Sequence, residues 1–404
     1  MGSKQVHSTF SQRSFYVICI MGTIAILSST MAKNPTLPLF AGQLGATEWQ
    51  LGIIAAIGPI PGILLSAPAG VFADRWGRIQ MIQLSLFFFA TAPLFYLFVT
   101  EPWQLVPVRF FHGLATAIFG PVILSLIASY YPFERASRMS LYSSVTMIGR
   151  VMAPLFAGFL ISIGSIFVVY LVCGISGGLA LFLGLTLPRQ LLDQPNQADS
   201  LRTSPVASLW STIRNHNILV TSSMEAVQFF AIGAFETFLP KRMESFEWDP
   251  MFIGIVMACQ ISAMILFKPL MGMVSDKWQR KPLIVIGLLI CASSFLLLGS
   301  FQNFVIISVG SLGFGAGVAI ATASTTALVS DFSKEREYGS AIGTLSSIMD
   351  VGHSLGPFVC GFAISSMGFS TTCVGVALLI VIGTIIFTIL VQSPSVQTSP
   401  QPLT

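Results

Sequence analysis

The sequence predicts an all-α membrane protein in which twelve transmembrane helices form two pseudo-symmetric six-helix bundles. Three observations lead to this fold class. The composition is apolar and weakly charged, a series of apolar segments is long enough to cross a bilayer, and a repeat relates the two halves of the chain. The segments lack the alternating pattern of barrel strands, so helices are expected.

The composition excludes an ordinary soluble domain. Hydrophobic residues make up 54% of the 404 residues and charged residues only 9%, whereas a soluble chain is about a quarter charged. A spanning helix needs about 20 apolar residues, and charges, Pro and Gly delimit twelve runs of that length. We expect helices at 14–39, 49–73, 79–99, 103–129, 138–163, 166–187, 217–240, 250–275, 282–301, 303–330, 338–366 and 369–392.

A long polar stretch divides the helices into six and six. The segment from Pro188 to Asn217 is rich in Pro, Gln, Asp and Ser and is typical of a linker. The predicted organisation is a cytoplasmic lead at 1–13, a first bundle at 14–187, a cytoplasmic linker at 188–216, a second bundle at 217–392 and a disordered tail at 393–404.

Lys and Arg are distributed asymmetrically between the two sides of the predicted membrane. If both termini are cytoplasmic, that side receives fourteen basic residues and the other side only Lys241 and Arg242. Because cytoplasmic loops retain positive charge, we expect both termini in the cytoplasm and a multi-pass protein of the cell membrane. The formal net charge of +4 reflects this topology and indicates no nucleic-acid partner.

Two motifs recur 202 or 203 residues apart. GVFADRWGRIQ, from Gly70, is answered by GMVSDKWQRKP, from Gly272, and GRVMAPLFAG, from Gly149, is answered by GHSLGPFVCG, from Gly352. Parallel repeats of this kind are related by an axis along the membrane normal. They place a binding site near the midplane, between the two halves.

These motifs, together with RFFHGLATA from Arg109, resemble those of the major facilitator superfamily over nearly the whole chain. The first is similar to the family motif G-x-x-x-D-R-x-G-R-[RK], with Ile79 departing from its last basic position. The fifth-helix motif resembles that of drug/proton antiporters, with Ala153 and Ala157 at two glycine positions. The resemblance implies a secondary transporter that works by alternating access, with helices 1, 4, 7 and 10 lining a central cavity.

The loop between the second and third helices concentrates charge between two apolar segments. Gly70, Asp74, Arg75, Gly77 and Arg78 match the family motif, and the resemblance implies an inner latch that controls the rocking of the two halves. Positive-inside anchoring would explain the arginines but not an Asp with two glycines. We place in the same latch Gly272, Asp276, Glu134 and Glu337.

Small residues form one face of the fifth helix. Gly149, Ala153 and Gly158 lie on that face with Ala157, and such a face predicts close helix packing, with a bend at Pro154. In the second half the corresponding packing residues are Gly356 and Pro357. By resemblance the face indicates export, but small-residue packing alone would look the same.

Ionisable side chains within the predicted helices are the candidate functional residues. On insertion scales a central Arg, Lys or Asp costs about 2.5 to 3.5 kcal/mol, so each must be paired, hydrated or near a helix end. They are Lys33, Arg109, His112, Arg150, Glu225, Glu236, Lys268, Asp350 and His353.

Glu225 is the leading candidate for a proton-binding carboxylate, and Asp350 is the second. A carboxyl group in a poorly hydrated cavity can exchange protons as its surroundings alternate. Arg109 would then supply the charge that favours the ionised form in one state. A structural ion pair that persists in every state is the alternative for each carboxylate.

A polar and aromatic face of the seventh helix is expected to line the cavity, because its members recur at helical spacing. Arg150 and Asp350 could meet across the cavity, and a Phe-rich wall would suit bulky amphipathic or cationic compounds. The substrate-cavity candidates are Asn34, Thr116, Gln228, Phe229, Glu236, Lys268, Arg150 and His353.

The expected function is proton-coupled export of hydrophobic or amphipathic small molecules. An uptake carrier for a metabolite or sugar and a non-transporting receptor on the same fold are the alternatives. The sequence has no Walker motif, nucleophile motif or metal-ligand spacing, so we expect no enzyme activity, cofactor or metal. The expected partners are a small-molecule substrate, protons and the lipid bilayer, with the protein acting as a monomer.

Overall fold

The structure is a computed structural model. It describes residues 12–131, 134–187, 215–275, 278–333 and 338–391, without the side chains of 66–71, 74, 136 and 338–340. Most of the lead and of the linker, the tail, and the latch residues Asp276 and Glu337 lie outside the described residues. At Gly70 and Asp74 the structure describes only the backbone.

Fourteen α-helices make up the described part of the chain. Their bounds are α1 (Gln12–Lys33), α2 (Thr36–Gln43), α3 (Glu48–Ile57), α4 (Ile60–Trp76), α5 (Arg78–Phe95), α6 (Leu105–Tyr130), α7 (Arg135–Ile163), α8 (Ile166–Leu185), α9 (His216–Glu244), α10 (Pro250–Ser275), α11 (Arg280–Ser300), α12 (Phe304–Phe332), α13 (Tyr338–Met367) and α14 (Phe369–Leu390). They provide twelve spans that are long and apolar enough to cross a membrane, which confirms the predicted number.

Two spans are interrupted. The first breaks at Asn34 and Pro35, between α1 and α2, where the sequence is rich in proline, so the single helix predicted over 14–39 is divided in two. The second breaks at Gly58 and Pro59, between α3 and α4, so the prediction of one continuous helix over 49–73 is wrong. Prolines at 59 and 61 have no N–H to donate to the preceding turn, so the helical hydrogen bonds are interrupted there, although Gly58 and Pro59 keep α-helical torsions.

The two halves of the chain fold into equivalent bundles. In the first, α5 packs against α6 and α8; in the second, the corresponding helix α11 packs against α12 and α14. Apolar side chains fill both interiors, among them Leu86 and Phe89 in the first bundle and Leu288 and Phe314 in the second. This arrangement confirms the two pseudo-symmetric six-helix bundles.

The bundles are joined at one end of the molecule. We call the end that holds the start of α1 and the end of α14 the termini face, and the opposite end the far face. At the far face one buried apolar cluster runs from Phe40 and Leu51 in the first bundle to Phe235 and Phe238 in the second. Across this boundary α3 packs on α13 and α7 packs on α10.

Candidate functional site

A cavity of about 390 Å³ lies between the two bundles, within the roughly 300 to 1,000 Å³ that small-molecule sites occupy. The first bundle lines it with α1, α4, α6 and α7, and the second with α9, α10 and α13. The tenth span, α12, contributes no lining residue, unlike the expectation from resemblance. The polar lining residues are Ser29, Thr30, Lys33, Asn34, Arg109, His112, Thr116, Arg150, Glu236, Gln260, Asp350 and His353.

Two equivalent glycine contacts close the cavity toward the far face. A Cβ on Gly52 of α3 would lie 3.1 Å from the Cα of Gly361 in α13, and a Cβ on Gly158 of α7 would lie 3.2 Å from the Cα of Gly254 in α10. The repeat relates the two contacts, because residue 52 corresponds to 254 and residue 158 to 361. At both positions only glycine allows the two helix backbones to approach so closely.

The other packing residues lie in similar contacts. A Cβ on Gly149 would lie 2.7 Å from the Thr23 carbonyl oxygen of α1. Gly356 packs against the backbone of α9 at Phe230, and Ala153 and Ala157 are buried. Pro154 and Pro357 lie inside α7 and α13, with their carbonyl oxygens turned toward Gly254 and Gly52.

Ion pairs connect the bundles near this closed end. Lys33 of α1 lies 2.6 Å from the Glu236 carboxylate of α9, and His353 Nε2 of α13 lies 3.4 Å from the same oxygen. Nearer the far face, Lys241 donates to the Ala46 carbonyl at 2.8 Å and lies 3.3 Å from Glu48. Lys33 and Glu236 therefore meet across the cavity and do not reach separately to the membrane interface.

Arg109 enters the cavity from α6 and is 6% exposed. The missing side chain at Gly58, in the break between α3 and α4, makes room for its guanidinium. Among the described residues no carboxylate pairs with Arg109, and its Nε atom has no hydrogen-bond partner. His112, one turn further along α6, is also buried, and neither of its ring nitrogens is bonded to a described residue.

Arg150 of α7 and Asp350 of α13 line the same cavity. Within the described ranges neither forms an ion pair, so the contact between them that the sequence left open is not made. Thr116 also lines the cavity, with its hydroxyl donating to the Gly113 carbonyl of its own helix at 3.1 Å. Asn34 and Phe229 complete the predicted candidates that reach this space.

Glu225 and Gln228 lie outside the cavity lining, contrary to the expectation for the seventh helix. Both are fully buried inside the second bundle, between α9 and α12. The Thr322 hydroxyl lies 3.2 Å from Glu225 Oε2 and 3.3 Å from Gln228 Oε1. The face of α9 that lines the cavity is instead the one that carries Phe229, Ile232 and Glu236.

Lys268 is also displaced from its predicted place. Its side chain is exposed on α10 and does not line the cavity. The aromatic wall predicted for the cavity reduces to Phe229, because Phe235 and Phe238 pack in the apolar core. The cavity surface is therefore more polar and more basic than the sequence indicated.

The predicted latch loop is described in part. Gly77 has a φ of 99°, a conformation that favours glycine, and it separates α4 from α5. Arg75 is exposed, while Arg78 donates to the Ser129 hydroxyl of α6. Glu134, which we placed in the latch, pairs with Arg138 four residues further along the chain at 2.8 Å.

The same contact recurs in the second bundle. Arg280 lies 2.9 Å from Asp331 at the end of α12. These positions are 202 residues beyond Arg78 and Ser129, so the repeat relates the two contacts. Gly272, the counterpart of Gly70, lies in α10 with open space where a Cβ would point. Asp331 was not among the predicted latch residues, although the repeat offset could have identified it.

Sequence reasoning missed three other parts of the site: the break at Gly58 and Pro59, the imidazole of His112, and Gln260 of α10. The two prolines at 59 and 61 were the available signal for the break. His112 was noted only as one of the ionisable residues within the helices, and its spacing from Arg109 was not used.

The chain is similar in sequence to known membrane transporters. The model of the Major Facilitator Superfamily matches residues 18–243 and 221–403. The chain is 24% identical over 358 residues to a probable nitrate transporter, NarT, of Staphylococcus epidermidis, covering 86% of this chain and 89% of that protein. It is 23% identical over 391 residues to the staphylopine export protein of Staphylococcus aureus, covering 94% and 95%.

Solved structures agree on the fold. The nucleoside transporter NupG superposes with a TM-score of 0.78 at 16% sequence identity, and the match covers 93% of this chain and 98% of NupG. At that identity the likeness establishes the architecture and not the substrate. With its family model matched across both bundles, the chain belongs to the Major Facilitator Superfamily and is a membrane transporter rather than an enzyme.

Proposed function

We propose that this protein is a proton-coupled secondary transporter that exports a small polar solute by alternating access. The observation that carries the proposal is the cavity, which lies between two equivalent bundles and is lined by ionisable groups from both. A cavity between parallel repeats can be exposed to either side when one bundle rocks against the other. The proposal replaces the hydrophobic substrate expected from the sequence, because one Phe and several charged groups line the cavity.

Glu225 is the proposed proton-binding residue. It is fully buried, only one of its oxygens has a hydrogen-bond partner, and it forms no ion pair within the described ranges. An ionised carboxylate in such a place would pay a large desolvation penalty, so the protonated form suits this state. Phe229, one turn further along α9, lines the cavity, whereas Glu225 does not. Asp350, within the cavity, is the second candidate.

Export is the proposed direction. Two observations support it: the small-residue motif of α7 resembles that of drug/proton antiporters, and the staphylopine export protein is similar over nearly the full chain. The energetics are adequate, because one proton that enters down 100 mV releases about 2.3 kcal/mol and each tenfold of solute gradient costs about 1.4 kcal/mol, so one proton sustains roughly a fortyfold gradient.

The test is a flux assay in proteoliposomes that hold a pH-sensitive dye. A panel of polar metabolites, inorganic anions, sugars and lipophilic cations is added with and without an imposed pH gradient. We expect at least one polar solute to move against a proton flux. Glu225→Gln should retain exchange of that solute across the membrane but lose its response to the pH gradient. Undiminished pH coupling in Glu225→Gln would reject this role for Glu225, and solute flux that never depends on the gradient would reject proton coupling.

A further inference from the structure

We infer that the transported solute is an anion with a planar oxyanion group, a carboxylate or a nitrate, held by Arg109 and Arg150. The inference rests on the proposed function in one respect, since it takes the cavity between the bundles to be the transport site. It goes beyond that function by fixing the charge of the solute and the residues that recognise it.

The described side chains that line the cavity carry more positive than negative charge. Its cationic side chains are Lys33, Arg109 and Arg150, and its carboxylates are Glu236 and Asp350. Lys33 and Glu236 neutralise each other at 2.6 Å. Among the described lining residues two arginines then remain with a single carboxylate, Asp350, so with neutral histidines these residues carry a surplus of one positive charge. A solute with a net charge of −1 would balance it.

Arg109 has no carboxylate partner among the described residues. More than nine-tenths of this side chain is buried, and no described carboxylate lies within ion-pair distance of it. A buried guanidinium without an anion is costly, because its desolvation is not offset. An anion that enters the cavity supplies the missing partner. The unbonded imidazole of His112, on the same face of α6, can donate one further hydrogen bond.

The break in the second span lies at the cavity, beside Arg109. α4 begins at Ile60, and the flanking residues Pro59 and Gly62 line the cavity. The N-terminus of a helix carries partial positive charge, so this end of α4 adds to the field that Arg109 and Arg150 create. Gly58, at the same break, has no side chain that would collide with the guanidinium of Arg109.

The geometry of arginine defines the chemical class. A guanidinium presents parallel N–H groups that match the two oxygens of a carboxylate or nitrate, whereas a lysine acts as a point charge. The volume of about 390 Å³ admits a metabolite-sized anion as well as a small inorganic one. Bulky lipophilic cations, which the sequence had suggested, would place their charge beside two unpaired arginines.

Equilibrium binding to the purified full-length protein tests this inference without any need for transport. Isothermal titration is carried out with nitrate, lactate and succinate, and with glucose and tetraethylammonium as neutral and cationic probes, at constant ionic strength. We expect at least one of the three anions to bind, and the two control solutes not to bind. The anion that binds distinguishes an inorganic from an organic substrate.

Variants assign the binding to the arginines. Arg109→Gln and Arg150→Gln should each weaken anion binding by about tenfold or more, the fold-change expected when a charge-assisted hydrogen bond is lost. Arg109→Lys should recover only part of the affinity, because it restores the charge without the planar fork. Arg135→Gln, which removes an exposed arginine at the start of α7, is the matched control and should bind normally.

Two results would overturn the inference: none of the anions binds at millimolar concentration to wild-type protein, or the arginine variants bind an anion as tightly as wild type does. Unchanged melting temperatures without ligand would show that the variants remain folded. Anion binding without flux would contradict the proposed transport and leave the inference intact. Proton-coupled flux of a neutral or cationic solute, without anion binding, would support the proposed transport and overturn the inference.

Discussion

At the scale of single residues, the ion pair between Lys33 and Glu236 joins the two bundles across the cavity. Hydropathy singles out Lys33 and Glu236 because each is expensive in lipid, yet their contact depends on how the two bundles are docked. The 203-residue spacing between them is a repeat relation, and the structure places these related positions against each other. Glu225 was misplaced for a related reason: helical spacing defines a face of α9 but not which neighbour that face contacts.

Removal of either partner of the Lys33–Glu236 ion pair is expected to destabilise the protein. Removing one partner leaves a charge in a largely buried site, and such losses cost about 3 to 5 kcal/mol when burial is complete. The side chains here are 30% and 14% exposed, so we expect Lys33→Gln and Glu236→Gln each to lower the free energy of unfolding by about 1 to 3 kcal/mol. Equilibrium unfolding of the purified variants in mixed micelles measures this change in the free energy of unfolding.

The double variant Lys33→Gln/Glu236→Gln tests whether the loss comes from the pair. It removes both charges together, so its destabilisation should be smaller than the sum of the two single losses. Glu48→Gln, at the far-face ion pair with Lys241, serves as a comparison outside the cavity. Additive losses in the double variant would contradict a direct interaction.

At the scale of helices, composition and length predicted the spans well, but proline was ambiguous. Pro93, Pro121 and Pro154 lie inside continuous helices, whereas Pro59 lies at a break. One missing hydrogen bond can be absorbed by a neighbouring helix, but the cluster of Gly58, Pro59 and Pro61 removes more than a single turn can accommodate. No sequence pattern states which of these outcomes the surrounding helices permit.

A larger side chain at the close contact of Gly158 with Gly254 is expected to separate α7 from α10. A Leu at position 158 has no space against α10, so Gly158→Leu should force the far-face ends of α7 and α10 apart. Spin labels at Ile163 and Met251, both well exposed, report that distance. We expect the distance distribution to shift to longer values.

Gly375→Leu is the matched control for this change. Gly375 lies on α14 with nothing within 4 Å of the position that a Cβ would take. The same Leu should fit there without a change in the Ile163–Met251 distance. An unchanged distance in Gly158→Leu would mean that the glycine contact does not hold the far face closed.

At the scale of the whole molecule, the repeat predicted more than hydropathy could. Its offset relates the contacts Gly52–Gly361 and Gly254–Gly158, and it relates the loop contacts of Arg78 and Arg280 as well. The shape and charge of the cavity could not be predicted, because they depend on the relative position of two bundles that no local pattern encodes. The positive charge of the cavity can be counted only when it is known which charged side chains line the cavity and which of them pair with each other.

Orientation in the membrane remains a prediction from the distribution of Lys and Arg. In a variant without the native cysteines, a single Cys at Glu247, on the loop that follows α9 at the far face, should react with a membrane-impermeant maleimide added to intact cells. A single Cys at Arg135, on the termini face, should react only after the cells are opened. The opposite pattern would reverse the orientation and the proposed direction of export.

In the transport cycle proposed for this protein, the two bundles rock about the cavity and expose it to one side at a time. Distances between spin labels test this most directly, with one pair at Ile163 and Met251 on the far face and a second pair at Arg135 and Trp278 on the termini face. Measurements are made across a range of pH, with and without the anion that binds. We expect the far-face distance to lengthen under the conditions in which the termini-face distance shortens. Two distances that stay fixed, or that lengthen together, would contradict it.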